Sequence, residues 1–379
     1  MTRPPARARW TLSVLTIPKR EPYLAQLLGT MADAGLPTGT VVDIVYNWDT
    51  RERPHEVERR LRKVGRGLDI NVHFNTQRPT IVSGRRQQLN HCKTPLLAFI
   101  DDDLTMHGDL LGVLEQTLRR VPVGILGVQS LVGDSNRRFK PRRSTPSVDH
   151  DGLRFMPVQG MLVAGYRRLF LDIGGFNPRR EYWGEWTELN LRMWRSGYPS
   201  AYVMDGAFLR HWENAPESPT RNMIGREDHV LWGLLCTALE YEANVEREDT
   251  EEFWDLVESR YIKYAFGEDV RIRDLLRSAC RLTPRLSAEY PAIVQFRELV
   301  RDHPFPFMPF HRFSESDVRR VLEHADQHIG DYLPVLEPPV RSGWPTTPPT
   351  VTWWCPVTPC GVSPENSCAN PGAGPMCGA

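Results

Sequence analysis

Over the first 130 residues, short apolar and β-branched runs alternate with segments whose apolar residues recur every three or four positions. Residues 10–17 (WTLSVLTI) form a short apolar and β-branched run closed by Pro18, the pattern of a buried strand. In residues 21–34 the apolar positions are Tyr23, Leu24, Leu27, Leu28 and Met31, a helical spacing that Gly35 stops. Residues 41–46 (VVDIVY) predict a second strand. Val57, Leu61 and Val64 predict one face of a basic helix, residues 70–74 a strand, residues 85–91 a helix, and residues 96–100 (LLAFI) another strand. Such alternation predicts an α/β fold with a mostly parallel sheet covered by helices on both faces.

Beyond Gly225 the strand pattern stops. Residues 230–241, 251–265, 270–280, 290–300 and 316–329 all carry apolar residues at helical spacing, with Thr250 and Ser314 as N-caps. The last 49 residues, Asp331–Ala379, hold 11 of the 32 prolines and four of the seven cysteines but only three acids and one base. So little charge and so much proline predict a linker or disordered tail. The expected organisation is therefore an α/β domain over 1–224, a helical module over 225–330 and a Pro/Cys-rich tail over 331–379.

Lys plus Arg and Asp plus Glu each number 47, which excludes the global basic field of a nucleic-acid binder. The expected partners are therefore not nucleic acids. No apolar run approaches the ~20 residues of a membrane helix, and the basic start lacks a signal peptide's apolar core. A cytoplasmic protein without a membrane span is the expectation. Binding charge must be local.

One local concentration stands out. Asp101, Asp102 and Asp103 follow LLAFI directly, at the C-terminal end of a buried strand, where open α/β sheets bind ligands. Three adjacent carboxylates repel one another unless a cation sits among them, and a hard divalent cation bridging to phosphate would suit them. A solvated loop with Asp103 as a helix cap is the plainer reading of the triplet alone.

Phe99-Ile100-Asp101-Asp102-Asp103 resembles the F-[LI]-D-x-D strand of the family 2 glycosyltransferases, which share the Rossmann-like GT-A fold. Gly84-Arg85-Arg86 sits where that family has an Ala-Arg-Asn segment, with Arg85 at the arginine position. Val158-Gln159-Gly160-Met161 and Ile173-Gly174-Gly175-Phe176-Asn177 resemble its acceptor-side strand and G-G-F-[DN] turn. The match runs from about Leu12 to His211, in the family's order and spacing. It implies an inverting, metal-dependent transferase that uses a nucleotide-sugar donor.

The resemblance also distributes roles. Asp101 and Asp103 become metal ligands for Mn2+ or Mg2+, with His211, which ends a strand ahead of Trp212, completing the site. A neutral imidazole suits manganese better than magnesium. Thr16 and Pro18 in the loop after the first strand, Asp49 after the second, Arg85 and Asp102 fall where the family holds a UDP-sugar, with Arg85 suited to bidentate phosphate contact. The family's G-E-D-x-D-L-x-L-R segment, whose Glu-Asp pair supplies the general base, reads Gly184-Glu185-Trp186-Thr187-Glu188-Leu189-Asn190-Leu191-Arg192 here. An indole cannot accept a proton, so the base falls to Glu185, Glu188 or an acid from elsewhere, with Glu188 slightly favoured because the second acid usually faces the cleft. Trp186 in the acid's place also motivates a catalytically silent nucleotide-sugar-binding protein. A nucleotidyltransferase would need a Gly-rich phosphate loop that residues 16–20 lack.

Three features stay open at this level. Trp183, Trp186 and Trp194 suit either sugar stacking or the core. Arg137, Arg138, Lys140, Arg142 and Arg143 suit either a loop closing on diphosphate or a solvated run. Cys355, Cys360, Cys368 and Cys377 lack Cys-x-x-Cys spacing, which counts against a zinc ribbon. The segment 353–360 (WWCPVTPC) resembles the cores of modified ribosomal peptides, some of which family 2 enzymes glycosylate on Cys or Ser. That makes the tail either a fused acceptor peptide or a disordered extension.

Overall fold

The computed structural model describes residues 10–47, 52–76, 79–134, 137–138, 147–158, 160–206, 208–212, 226–241, 251, 255, 257, 272–301, 303, 305 and 313–332. By contacts, Met1–Pro334 form one compact unit and Val335–Ala379 another. The tail beyond Tyr332, with its four cysteines and the 353–360 segment, lies outside the described residues, as do Asp49, Lys140, Arg142, Arg143 and Gln159.

The first half alternates as its pattern predicts: β1 (Trp10–Thr16), α1 (Glu21–Ala34), β2 (Val41–Asn47), α2 (Pro54–Val64), β3 (Asp69–Asn75), α3 (Ile81–His91) and β4 (Leu96–Asp101). Helix α3 starts four residues earlier than the apolar spacing indicates. Thr80 and Ser83 form a reciprocal capping box, which satisfies its first free amides. In β4, Leu96 to Ile100 are all buried and only Asp101 emerges, as expected of a central strand covered on both faces.

Next come β5 (Leu104–Met106), α4 (Leu110–Arg120), β6 (Ile125–Val128), β7 (Ser130–Val132), β8 (Val148–His150), β9 (Leu153–Phe155), β10 (Leu162–Tyr166), α5 (Arg167–Asp172), α6 (Glu185–Arg195), β11 (Ser200–Val203) and β12 (Leu209–His211). Nine strands form one sheet in the order β3-β2-β1-β4-β10-β6-β11-β9-β8, and β5-β12-β7 form a second. Strands β1 to β4 are mutually parallel, whereas β10 runs antiparallel to both β4 and β6. From β1 the chain steps outward to β2 and β3, then returns to the other side of β1 as β4. The order reverses there, so the C-terminal ends of β1 and β4 border the sheet's ligand crevice.

Helices α7 (Arg226–Tyr241), α8 (Ile272–Arg301) and α9 (Glu315–His328) follow. The separate helices predicted over 270–280 and 290–300 are one helix of 30 residues, with Pro284 and Pro291 inside it. Each proline removes one helical hydrogen bond, but packing against α7 through Leu282 and Ile293 sustains the helix. Ser314 caps α9 in a capping box with Asp317, as predicted. Among the described residues no helix is long and apolar enough to cross a membrane. Two cysteines, Cys92 and Cys236, are buried free thiols.

Candidate active site

The acidic triplet emerges from β4 beside the end of β1, and each of its three carboxylates has a different environment. Asp101 Oδ1 accepts from Arg85 Nη2 at 2.5 Å, and Asp101 Oδ2 accepts from the Met161 amide at 2.9 Å. Met161 lies across from Asp101 because β10 pairs antiparallel to β4 with Leu162 opposite Ile100. The Val158–Met161 motif thus closes one side of the triplet. Gly160 and Met161 both adopt positive φ, 45° and 37°, to make the turn into β10.

Asp102 faces inward. Its Oδ2 accepts from Thr16 Oγ1 at 2.7 Å and its Oδ1 from Arg20 Nε at 2.8 Å and Nη2 at 2.5 Å. Burial pushes its carboxyl up to about 6 despite the opposing charge and hydrogen bonds of Arg20. Both oxygens are engaged, so Asp102 and Thr16 fasten the β1–α1 turn to the end of β4. Arg20, in the one-turn helix Pro18–Arg20, ends the loop that the resemblance sets against the nucleotide, with no role of its own foreseen. The only signal was a base just after the first strand; its partners lie 82 and 83 positions away, beyond any local pattern.

Asp103 Oδ2 lies 2.8 Å from Arg20 Nη2 and 3.5 Å from His211 Nε2. Burial acts to raise this carboxyl, but the His211 hydrogen bond and the Arg20 charge outweigh it and hold it down at about 2. The second sheet delivers the histidine, since β12 pairs with β5 so that His211 sits opposite Leu104. Asp103 Oδ1 has no partner among the described residues. No three His, Cys, Asp or Glu side chains converge into a metal cage among them either.

The segment after the G-G-F turn is resolved into two different glutamates. Glu185 is the first residue of α6, preceded by Gly184 at φ 83°, where only glycine turns without strain. It is partly exposed. Its carboxyl is raised above the ordinary range, first by burial and further by the Asp101 charge, with Arg85 opposing both. Glu185, Asp101 and Arg85 are therefore one electrostatic group.

Glu188, one turn on, is fully buried, and both its oxygens are taken. Arg192 Nε and Nη2 reach Oε1 and Oε2 at 2.9 and 2.8 Å, and the Tyr241 hydroxyl donates to Oε1 at 2.6 Å. Burial would raise this carboxyl, yet Arg192, Arg180 and Tyr241 together lower it. This corrects the expectation that Glu188 faces the cleft: it faces α7. Trp186, between the two glutamates, packs edge-on to Phe99 at 5.3 Å and Phe176 at 5.0 Å, with the Arg85 guanidinium 5.1 Å from its ring centre. It therefore braces Arg85 and joins the β4, G-G-F and α6 motifs in one aromatic cluster.

Trp194 is core, with its indole N–H donated to Ser200 Oγ at 2.7 Å, and Trp183 is half-buried. Of the other predicted residues, Pro18 opens the turn that carries Arg20, and Arg138 Nη1 reaches Gln129 Oε1 at 3.4 Å. The structure thus brings Thr16, Arg20, Arg85, Asp101, Asp102, Asp103, Glu185 and His211 to the sheet's crevice and leaves Glu188 outside it.

No protein-family model matches the chain, and no curated protein is similar to it. Among solved structures it is similar to residues 1–349 of TarS from S. aureus in complex with UDP-GlcNAc, with a TM-score of 0.53 and 14% identity over 84% of this chain and 92% of that one. The chain spans 55% of the longer TarS structure, at a TM-score of 0.48 and 14% identity. The mannosyltransferase PcManGT from Pyrobaculum calidifontis, in complex with GDP-Man and Mn2+, aligns at a TM-score of 0.47 and 16% identity over 78% of this chain and 85% of that one. The likeness to TarS 1–349 shows the fold, a GT-A-like α/β fold, as the motifs implied.

Proposed function

We propose that a chain with this fold and crevice is an inverting glycosyltransferase of the family 2 type that moves a sugar from a UDP-sugar to an acceptor hydroxyl or thiol. The observation that supports the reading is the Arg85–Asp101 pair at 2.5 Å at the end of β4, with the partly exposed Glu185 opening α6 close enough to feel both charges. The TarS 1–349 structure of similar fold holds UDP-GlcNAc, which supports a nucleotide-sugar donor.

In this mechanism Glu185 takes the proton from the acceptor as its oxygen or sulfur attacks the anomeric carbon. The bond from that carbon to the phosphate oxygen breaks, and UDP leaves with the electron pair. A carboxylate raised by burial holds a proton closer to neutral pH than a free one, which suits a base. Arg85, held by Asp101 and set against the Trp186 ring, would meet the diphosphate, and Asp102 with Thr16 keeps Arg20 and the β1 turn in place. The donor set suits a divalent cation, because Asp103 offers Oδ1 and His211 stands beside Oδ2. Asp103 and His211 would hold it, with Asp101 occupied by Arg85 and the Met161 amide. A bound cation would supply charge neutralisation for the departing diphosphate.

The acceptor is proposed to be a peptide side chain, and the Cys, Ser and Thr residues of 353–377 are the first to examine. The purified chain, incubated with a panel of UDP-sugars and Mn2+, is expected to release UDP. Intact-mass analysis is expected to show one hexose or N-acetylhexosamine increment for the matching donor. UDP binding without turnover of any donor would favour the silent reading motivated by Trp186. Turnover with an unchanged mass would remove the tail as acceptor.

A further inference from the structure

A second cavity lies away from the crevice, at the other end of α6. It measures about 510 Å³ and is lined by Asn177 and Arg179 from the turn after α5, Arg192 and Ser196 at the end of α6, and Phe296 and Leu299 from α8. That volume falls within the roughly 300–1,000 Å³ of small-molecule pockets. Arg192 lies seven residues past Glu185, so at ~1.5 Å per helical residue the cavity begins about 10 Å from the proposed base. The two sites are distinct.

The charges around it do not balance. Arg179, Arg180 and Arg192 share two buried carboxylates, those of Glu188 and Glu240. Arg192 is saturated: it binds Glu188 twice, the Gly175 carbonyl and the Ile173 carbonyl. Arg180 is wholly buried on Glu240, at 2.5 Å. Arg179 uses only Nε on Glu240, at 2.9 Å, and lies 5.0 Å from the centre of the Phe296 ring. Its two Nη groups have no partner among the described residues. The one acid on the lining, Asp172, pairs with Arg168 at 3.6 Å.

We infer that this cavity is a binding site for a small organic anion, a phosphate monoester or carboxylate whose apolar body rests on Phe296 and Leu299 while its charge meets the Nη groups of Arg179. A guanidinium braced on an aromatic face with both amino groups open is preorganised to meet two anionic oxygens at once. Excess buried positive charge raises the gain from receiving a negative ligand.

The test uses 4-fluorophenyl phosphate, 4-fluorobenzoate and the neutral 4-fluorobenzyl alcohol, followed by fluorine NMR line broadening on the full chain with and without saturating UDP and Mn2+. At least one anion is expected to bind with a dissociation constant near 1 mM, the range open to a ligand of about ten heavy atoms. The alcohol is expected to bind at least about tenfold more weakly. UDP should leave the binding in place, so that failure of the donor-site reading and failure of this one are separable. Phosphate tighter than benzoate would identify the phosphate monoester, and the reverse the carboxylate. Leu299→Glu, at a position 69% exposed and so tolerant of change, is expected to weaken anion binding at least about tenfold. Arg179→Gln should act in the same direction, while Arg85→Gln should not. Equal binding of the alcohol, no anion binding up to about 10 mM, or unchanged binding in Leu299→Glu would overturn the assignment.

Discussion

Two clusters of acids and arginines lie on either side of α6, and they are built from the same side chains to opposite ends. At the crevice, Asp101, Asp102 and Asp103 meet Arg85 and Arg20, but Asp103 keeps one oxygen without a partner and Glu185 is partly exposed. Behind α6, Glu188 and Glu240 meet Arg192, Arg179 and Arg180, and both acids are fully buried. A cluster that must bind a ligand retains unused hydrogen-bonding capacity. Behind α6 the two carboxylates, Glu188 and Glu240, keep none, and the open groups there belong to the arginines. The difference separates the two glutamates of one helical turn, which the sequence presents as near equivalents.

The largest expected effect breaks the structural cluster. Glu188→Ala leaves the Arg192 guanidinium buried without its carboxylate and is expected to lower stability by about 3–5 kcal/mol, read as a fall in denaturant midpoint at unchanged slope. A loss under about 1 kcal/mol would mean that the pair is not desolvated as described. Because its folded-state pKa is lowered, the stabilisation from Glu188 is present above its unfolded pKa and is lost as pH falls through the lower folded one.

Asp103→Asn probes the crevice from its other side. Donor turnover is expected to fall by about 10²–10³-fold, the usual cost of removing one preorganised electrostatic group, with the melting temperature nearly unchanged. Full retention of activity would remove Asp103 from the site. Trp186→Phe sharpens the comparison at the boundary between the clusters. It shrinks the packed ring and weakens the contact with Arg85, at an expected cost of about 1–2 kcal/mol, together with weaker donor binding measured by calorimetry. An unchanged donor affinity would show that Arg85 does not depend on the indole.

The smallest effect is in the pH profile. The base must be ionised to act, so turnover falls as pH drops through its pKa; with Glu185 raised, that fall is expected above the ordinary glutamate value of about 4.3. An acid limb at or below that value in kcat/KM would point to another group.

The parallel half of the sheet was legible because its strands are short apolar and β-branched runs that alternate with helical spacing, and LLAFI, the most continuous of them, placed the triplet at a strand end. The positions of Arg20 and Trp186 were not legible. Arg20 meets Asp102 only because β1 and β4 are neighbours in space, and Trp186 became a brace only once Phe99 and Phe176 were brought beside it. The choice between Glu185 and Glu188 depended on where α7 packs, since Tyr241 lies 53 residues further along the chain. No helical periodicity within α6 contains that information. The long helix α8 was divided in the sequence reading because its apolar spacing weakens around Pro284 and Pro291, where packing on α7 rather than local preference keeps it whole.

The proposed transfer depends on Glu185 as the base, and the most direct measurement is the donor turnover rate of Glu185→Gln beside wild type, with UDP affinity and melting temperature recorded on the same samples. The expected result is a loss of about 10²–10⁴-fold in kcat, the range for removing a positioned general base, with affinity and melting temperature preserved. Wild-type turnover in Glu185→Gln would contradict it.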